Sequence, residues 1–172
     1  MNPIKLWCFD LGDTIMQEET EVKDDCATTL EAQLFPGMKD ALQKLKQRGC
    51  TLALVADTRP GTYRNVLTQH GLYDLFSAFA ISEELQTSKP DRRMFEHVLQ
   101  QLRVKPQEAV MCGNNLERDI AGAKALGMTT VWFHWNERYA TLPATELEVA
   151  DFTVHSAQEF LELEQRLRQP TD

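Results

Sequence analysis

The residues that could do chemistry stand just after apolar runs. Phe9-Asp10-Leu11-Gly12-Asp13-Thr14-Ile15 closes one such run, and Ala56-Asp57-Thr58-Arg59-Pro60 closes another. Ser88-Lys89-Pro90-Asp91 opens a helical stretch, and Cys112-Gly113-Asn114-Asn115-Leu116-Glu117-Arg118-Asp119 follows a further run. Asp10 has three chemistries open to it: nucleophile, ligand for a hard cation, or acceptor that caps a tight glycine turn. Asp57 or Thr58 reads more simply as a helix cap than as a catalytic group. Lys89 reads as a solvated surface lysine unless its loop lies on the same side as Asp10, where an ammonium can meet a phosphate or hold a carboxylate. Asn114 or Asn115 can cap the next helix, and Asp119 in its first turns can point back toward the end of the preceding strand.

Apolar runs at 4–9, 51–56, 78–81, 109–112 and 129–133 read as strands, with a sixth at 152–154. Periodicity and stop signals predict helices over 36–48, 60–70, 90–102, 116–126 and 157–168. This alternation implies a mostly parallel sheet covered on both faces. Right-handed crossovers make it an α/β, Rossmann-like, doubly wound three-layer sandwich. Ligands of such folds bind at the carboxyl ends of the strands, where the residues above fall. Residues 16–35, with Glu18, Glu19, Glu21, Asp24 and Asp25, break the alternation and read as a short acidic flap. With no repeat or linker in view, the expectation is one domain over 1–172.

The composition bounds the function. The chain has 172 residues, 42% hydrophobic and 26% charged, which is a globular balance. Its formal charge of -8 excludes a broad nucleic-acid-binding surface but not a small phosphorylated ligand. No apolar run is long enough to span a bilayer, and the N-terminus lacks the apolar stretch of a signal peptide. Cys8, Cys26, Cys50 and Cys112 form no CxxC pair, so neither a zinc site nor a disulfide framework is expected. The expected compartment is the cytoplasm.

Taken together and in order, these segments resemble the haloacid dehalogenase superfamily of aspartyl-nucleophile hydrolases, mostly phosphatases. The resemblance covers roughly residues 4–135. Phe9 through Ile15 looks like the first motif of that family, Lys89-Pro90-Asp91 with Met94-Phe95 the third, and Gly113 through Gly127 the fourth. Phe35-Pro36-Gly37-Met38 looks like the return from a cap insertion. The resemblance implies that Asp10 attacks phosphorus and that a magnesium ion takes an Asp10 oxygen and the Gly12 main-chain carbonyl. Asn114 and Asp119 would complete the shell, and Lys89 would offset the negative charge. It also implies a five-strand order of 5-4-1-2-3 with the Asp10 strand central; and because Asp10, Lys89, Asn114 and Asp119 each follow or flank a strand end on the same side of the sheet, they should converge in one pocket.

Three positions depart from the family pattern. Gly12 stands where phosphatases carry the acid/base Asp, so the proton donor is lost from that position and turnover is expected to be slow. Asp13, one place later, is not expected to substitute fully. Ala56 stands where the second motif offers a hydroxyl to phosphate, with Asp57 and Thr58 as the remaining phosphate-binding candidates. Asn114 replaces an Asp and should hold magnesium less tightly. The departures partly match the dehalogenase branch, but residues 16–35 are too few for the helical cap on which that branch relies. The expected activity is a metal-dependent phosphohydrolase with an open site suited to a large or macromolecular phosphoester. The alternative is a degenerate member kept for binding or regulation.

Overall fold

The computed structural model describes residues 3–168. Its elements are β1 (Leu6–Phe9), β2 (Val22–Lys23), β3 (Thr29–Glu31), α1 (Met38–Gln47), β4 (Thr51–Ala56), α2 (Pro60–Gln69), β5 (Phe76–Ile81), α3 (Ser82–Leu85), α4 (Arg92–Leu102), β6 (Ala109–Gly113), α5 (Gly122–Lys124), β7 (Thr129–Phe133), β8 (Phe152–Val154) and α6 (Ala157–Arg168). Six strands form one sheet in the order β5-β4-β1-β6-β7-β8, every neighbouring pair parallel. Counted over the five main strands this is the expected 5-4-1-2-3 order, with β8 added outside β7.

β1 is central because its side chains suit burial on both faces. Trp7 and Phe9 point into one core, where both meet Phe160 of α6 edge-on at 5.5 and 5.7 Å. Leu6 and Cys8 point into the other, with Met94, Phe95 and Val98 of α4. The alternation follows from the two-residue period of a strand. α1 turns Met38, Ala41, Leu42 and Leu45 inward, the i, i+3, i+4, i+7 stripe of an amphipathic helix.

Several expected boundaries shift for local reasons. Pro36 precedes α1, because Gly37 in the left-handed region forms its N-terminal boundary. Neither Asp57 nor Thr58 caps α2. The cap position is Arg59, with no side-chain bond, and Asp57 is engaged elsewhere. The helix expected over 116–126 opens as a wide π-helical turn, Leu116–Ala121, before α5. There the amides of Asp119 and Ile120 both reach the Asn115 carbonyl, at 2.9 and 3.2 Å. Asn115, not Asn114, caps this turn by accepting from the Arg118 amide at 2.9 Å.

The segment expected as an irregular flap contains the antiparallel hairpin β2–β3. It is fixed to α2: the Thr29 amide donates to Thr62 Oγ1 at 3.0 Å, and Asn65 Nδ2 donates to the Thr29 carbonyl at 2.9 Å. His70 Nε2 lies 2.7 Å from the Ala32 carbonyl. The hairpin thus stands as a wall at the carboxyl edge of the sheet.

Candidate active site

Four loops meet at that edge and line a cavity of about 310 Å³. The Asp10 amide donates to the Cys112 carbonyl at 2.9 Å, continuing the β1–β6 ladder by one residue and delivering the Asp10 carboxylate to the cavity floor. Lys89 reaches the same point from the loop before α4 and is only 4% exposed. Its Nζ lies 2.7 Å from Asp10 Oδ1, 2.7 Å from Asp119 Oδ1, and 2.9 Å from the Val55 carbonyl, to which it donates. Asp57 fixes the Lys89 loop by accepting its main-chain amide at 3.0 Å.

The charges explain the protonation tendencies. Burial pulls the Lys89 ammonium down, but Asp10, Asp119 and Asp57 outweigh it and hold its pKa above the ordinary lysine value. Asp119, 1% exposed, is pushed up to about 6 by burial first and by the Asp10 charge second, with Lys89 opposing. Its Oδ1 is ion-paired with Lys89 and its Oδ2 accepts the Asn115 amide at 3.0 Å. Gly113 makes room for this side chain: a Cβ there would fall on the Asp119 carboxylate.

Thr14 joins the two sides of the floor. Its hydroxyl lies 3.3 Å from Asp10 Oδ2 and 3.5 Å from Asn114 Oδ1. One hydroxyl proton serves only one of these acceptors. Asn114 Nδ2 is meanwhile buried without an acceptor. Exchanging the amide nitrogen and oxygen removes the competition for the Thr14 proton. Nδ2 then donates to Thr14, Thr14 donates to Asp10, and the Asn114 oxygen takes the buried position that no protein donor reaches.

That arrangement bears on the expected magnesium ion. Among the described residues no three His, Cys, Asp or Glu side chains gather to hold a metal. The available donors are the Asp10 and Asp119 carboxylates, the Gly12 carbonyl and the Asn114 amide oxygen. All are hard oxygens, and the exchanged Asn114 oxygen is a buried acceptor with no protein donor, so the set fits magnesium.

The turn after Asp10 has a different organisation. Asp13, in the left-handed region at φ 49°, points away from the cavity. Its Oδ1 accepts the Glu18 amide at 2.9 Å, and its Oδ2 is held by Asn136 Nδ2 at 3.1 Å and Arg138 Nε at 2.5 Å. The chain after β7 therefore forms a strap over this turn. Trp135 Nε1 donates to the Thr14 carbonyl at 3.0 Å and the ring stacks on Phe35. Tyr139 reaches the cavity wall, with its ring under the Arg118 guanidinium at 5.2 Å and its hydroxyl 3.5 Å from Glu18 Oε2. Glu18 also lines the cavity. Burial raises its pKa, with the charges of Asp13 and Asp10 adding and Arg138 opposing.

The structure brings every expected site residue together: Asp10, Gly12, Ala56, Asp57, Thr58, Lys89, Asn114 and Asp119 all line the one cavity. Lys89 is buried, so the surface reading of it does not hold. Asp10 caps nothing, since its oxygens go to Lys89 and Thr14. Sequence reasoning missed Glu18, Arg118 and Tyr139 as wall residues and Thr14 as the link to Asp10. For Thr14 the signal was its place four residues after Asp10; Tyr139, in an aperiodic stretch, gave none.

An aspartate at the end of the central strand, charge-balanced by a buried lysine and set beside a second buried aspartate, stands at the carboxyl edge of a parallel α/β sheet. Residues 5–127 match the model of the haloacid dehalogenase-like hydrolases, and the chain belongs to this family. It is 34% identical over 131 residues to a glyceraldehyde 3-phosphate phosphatase of Pyrococcus furiosus, covering 76% of this chain and 54% of that one. It is 37% identical over 99 residues to a phosphoserine phosphatase of Thermus thermophilus, covering 58% and 40% respectively. The chain thus spans about half the length of the relatives it matches. A phosphatase of the same family from Thermococcus onnurineus shares the fold at a TM-score of 0.76 and 21% identity, covering 94% of this chain and 98% of that one.

Proposed function

We propose that the chain is a phosphoric monoester hydrolase acting through an aspartyl-phosphate on Asp10. The carrying observation is the Asp10 carboxylate on the cavity floor, one oxygen on Lys89 and the other within reach of Thr14. In this reading an Asp10 oxygen attacks phosphorus and the ester P–O bond breaks. Water then attacks the aspartyl-phosphate, releasing phosphate and restoring the carboxylate. Lys89 balances the added negative charge, and the Ala56-Asp57-Thr58 turn and Lys89 border the phosphoryl position. Asp10, the Gly12 carbonyl, Asn114 and Asp119 would hold magnesium, which when bound supplies charge stabilisation to the transferring phosphoryl group.

The relatives named for glyceraldehyde 3-phosphate and phosphoserine support a phosphate monoester as substrate. A cavity of about 310 Å³ admits the phosphoryl group and the adjoining atoms. We place the remainder of a larger phosphoester beyond Arg59 and Tyr139, with residues 1–172 acting as one domain and the β2–β3 hairpin in place of a cap. Residues 1–2 and 169–172 of that span lie outside the described residues. The free state of Cys8, Cys26, Cys50 and Cys112 supports a reducing cytoplasmic setting.

Release of 4-nitrophenol from its phosphate ester tests the activity. Magnesium-dependent release that disappears in Asp10→Asn is expected. Release that persists in pure Asp10→Asn protein, or none across a panel of phosphomonoesters, overturns the reading. Ala56, which brings no hydroxyl to the phosphoryl position, favours the second reading, a phosphate-binding protein without turnover. Calorimetric phosphate binding with no hydrolysis in the panel would select it.

A further inference from the structure

Gly12 leaves space that a neighbour fills. A Cβ built at position 12 would fall against Glu18 Oε1, with Glu18 Cδ and Cγ both at 3.0 Å. A side chain at position 12 would therefore displace the Glu18 carboxylate from this space. Glu18 is not a passing surface residue. Its amide is bonded to Asp13 Oδ1 at 2.9 Å, its Oε2 lies 3.5 Å from the Tyr139 hydroxyl and 3.9 Å from Arg138 Nε, and it lines the cavity with Asp10. Asp13, the other carboxylate near position 12, has both oxygens engaged away from the cavity.

We infer that Glu18 supplies the carboxyl group absent from position 12 and is the catalytic residue that exchanges a proton with the leaving-group oxygen. This rests on the reading of Asp10 as nucleophile. As the ester P–O bond breaks, the leaving oxygen takes the Glu18 proton and departs as the alcohol. The Glu18 carboxylate then takes a proton from the water that attacks the aspartyl-phosphate. Phosphate leaves, Asp10 is free again, and Glu18 carries the proton with which the cycle began. The acidic flap is thereby part of the chemistry, and the loss of the donor at position 12 is made good from six residues further along the chain.

The test compares wild type, Glu18→Gln, Glu18→Ala, and Glu18→Ala with Gly12→Asp, on an alkyl phosphate and on 4-nitrophenyl phosphate. Glu18→Gln should lower kcat on the alkyl ester by about 10²-fold or more, and much less on the nitrophenyl ester, whose leaving group needs no proton. Adding Gly12→Asp to Glu18→Ala should recover at least about tenfold on the alkyl ester, since the vacated space then accepts a carboxylate. Equal losses on both esters, or no loss, overturn the assignment of Glu18. A Glu18→Gln protein that melts early leaves the decision to the Glu18→Ala pair, where failure of Gly12→Asp to restore turnover overturns it. Activity that survives Asp10→Asn instead removes the nucleophile, a separate failure.

Discussion

Lys89 Nζ and Asp10 Oδ1 stand 2.7 Å apart, joined across 79 residues of chain and almost wholly shielded from water. The lysine also answers Asp119, so one cation serves two buried carboxylates. Removing it leaves both uncompensated, a change that costs about 3–5 kcal/mol when a buried pair is broken. It also removes charge stabilisation from the transferring group, worth about 10²–10³ in rate. Lys89→Met is therefore expected to lower both the Tm and the phosphatase kcat. Wild-type values of both, in a melt and a steady-state assay, would show that the ammonium is dispensable.

The strap after β7 is held chiefly through Asp13. Arg138 and Asn136 both bond Asp13 Oδ2, while Asp13 Oδ1 holds the Glu18 amide. Arg138→Gln replaces a charged donor with a neutral one and leaves a buried carboxylate less well paired. Amide hydrogen exchange should then quicken at residues 135–139 and at the Glu18 amide, with β1 unchanged. Exchange confined to position 138 would mean that Trp135, stacked on Phe35, holds the strap without the ion pair.

What was legible in the sequence was whatever depends on order along the chain. Asp10, Lys89 and Asp119 each follow or flank an apolar run, and parallel-sheet topology carries such positions to one edge. The strand order came from the family resemblance, since order along the chain alone does not set it. The Glu18 position was not legible, because it depends on Asp13 taking a left-handed turn that folds the chain back over Gly12. Arg138 meets Asp13 across 125 residues from a stretch with no periodicity, which no local pattern encodes. The π-helical opening at Leu116 was hidden for a third reason. It arises where the Asp119 and Ile120 amides share the Asn115 carbonyl, while Asp119 Oδ2 accepts the Asn115 amide at 3.0 Å.

Asp91 anchors the far end of the Lys89 loop by capping α4. It accepts the Arg93 amide at 2.9 Å and the Arg93 guanidinium at 3.0 and 2.7 Å. The Arg93 side-chain bond, followed by the amide bond, holds its carboxyl far below the ordinary value of 3.8. A carboxyl depressed by folding stabilises fully above its unfolded pKa, and the benefit fades as pH falls toward the folded one. Asp91→Ala should therefore melt earlier than wild type at pH 7, with the gap narrowing progressively below about pH 4. A gap that stays constant down to the acid limit would assign the loss to packing instead of to the ionised cap.

Asn114 sets the balance between holding a metal and folding without one. Its main-chain carbonyl accepts Trp132 Nε1 at 2.9 Å, a bond that a change of side chain leaves intact. Asn114→Asp would place a third carboxylate beside Asp10 and Asp119, with Lys89 still the one buried cation among them. Without magnesium the added charge is repelled in a poorly solvated site, and the carboxylate offers Thr14 an acceptor but no donor in return. With magnesium the same charge faces a divalent ion and the attraction rises. The two effects have opposite signs, and each has its own readout. The metal-free Asn114→Asp protein should melt below wild type, and calorimetric titration should give tighter magnesium binding. Tighter binding with an unchanged metal-free melt would mean that the new carboxylate is protonated or turned to solvent until the ion arrives. Unchanged or weaker binding would remove position 114 from the metal shell, leaving Asp10, Asp119 and the Gly12 carbonyl to hold the ion with water.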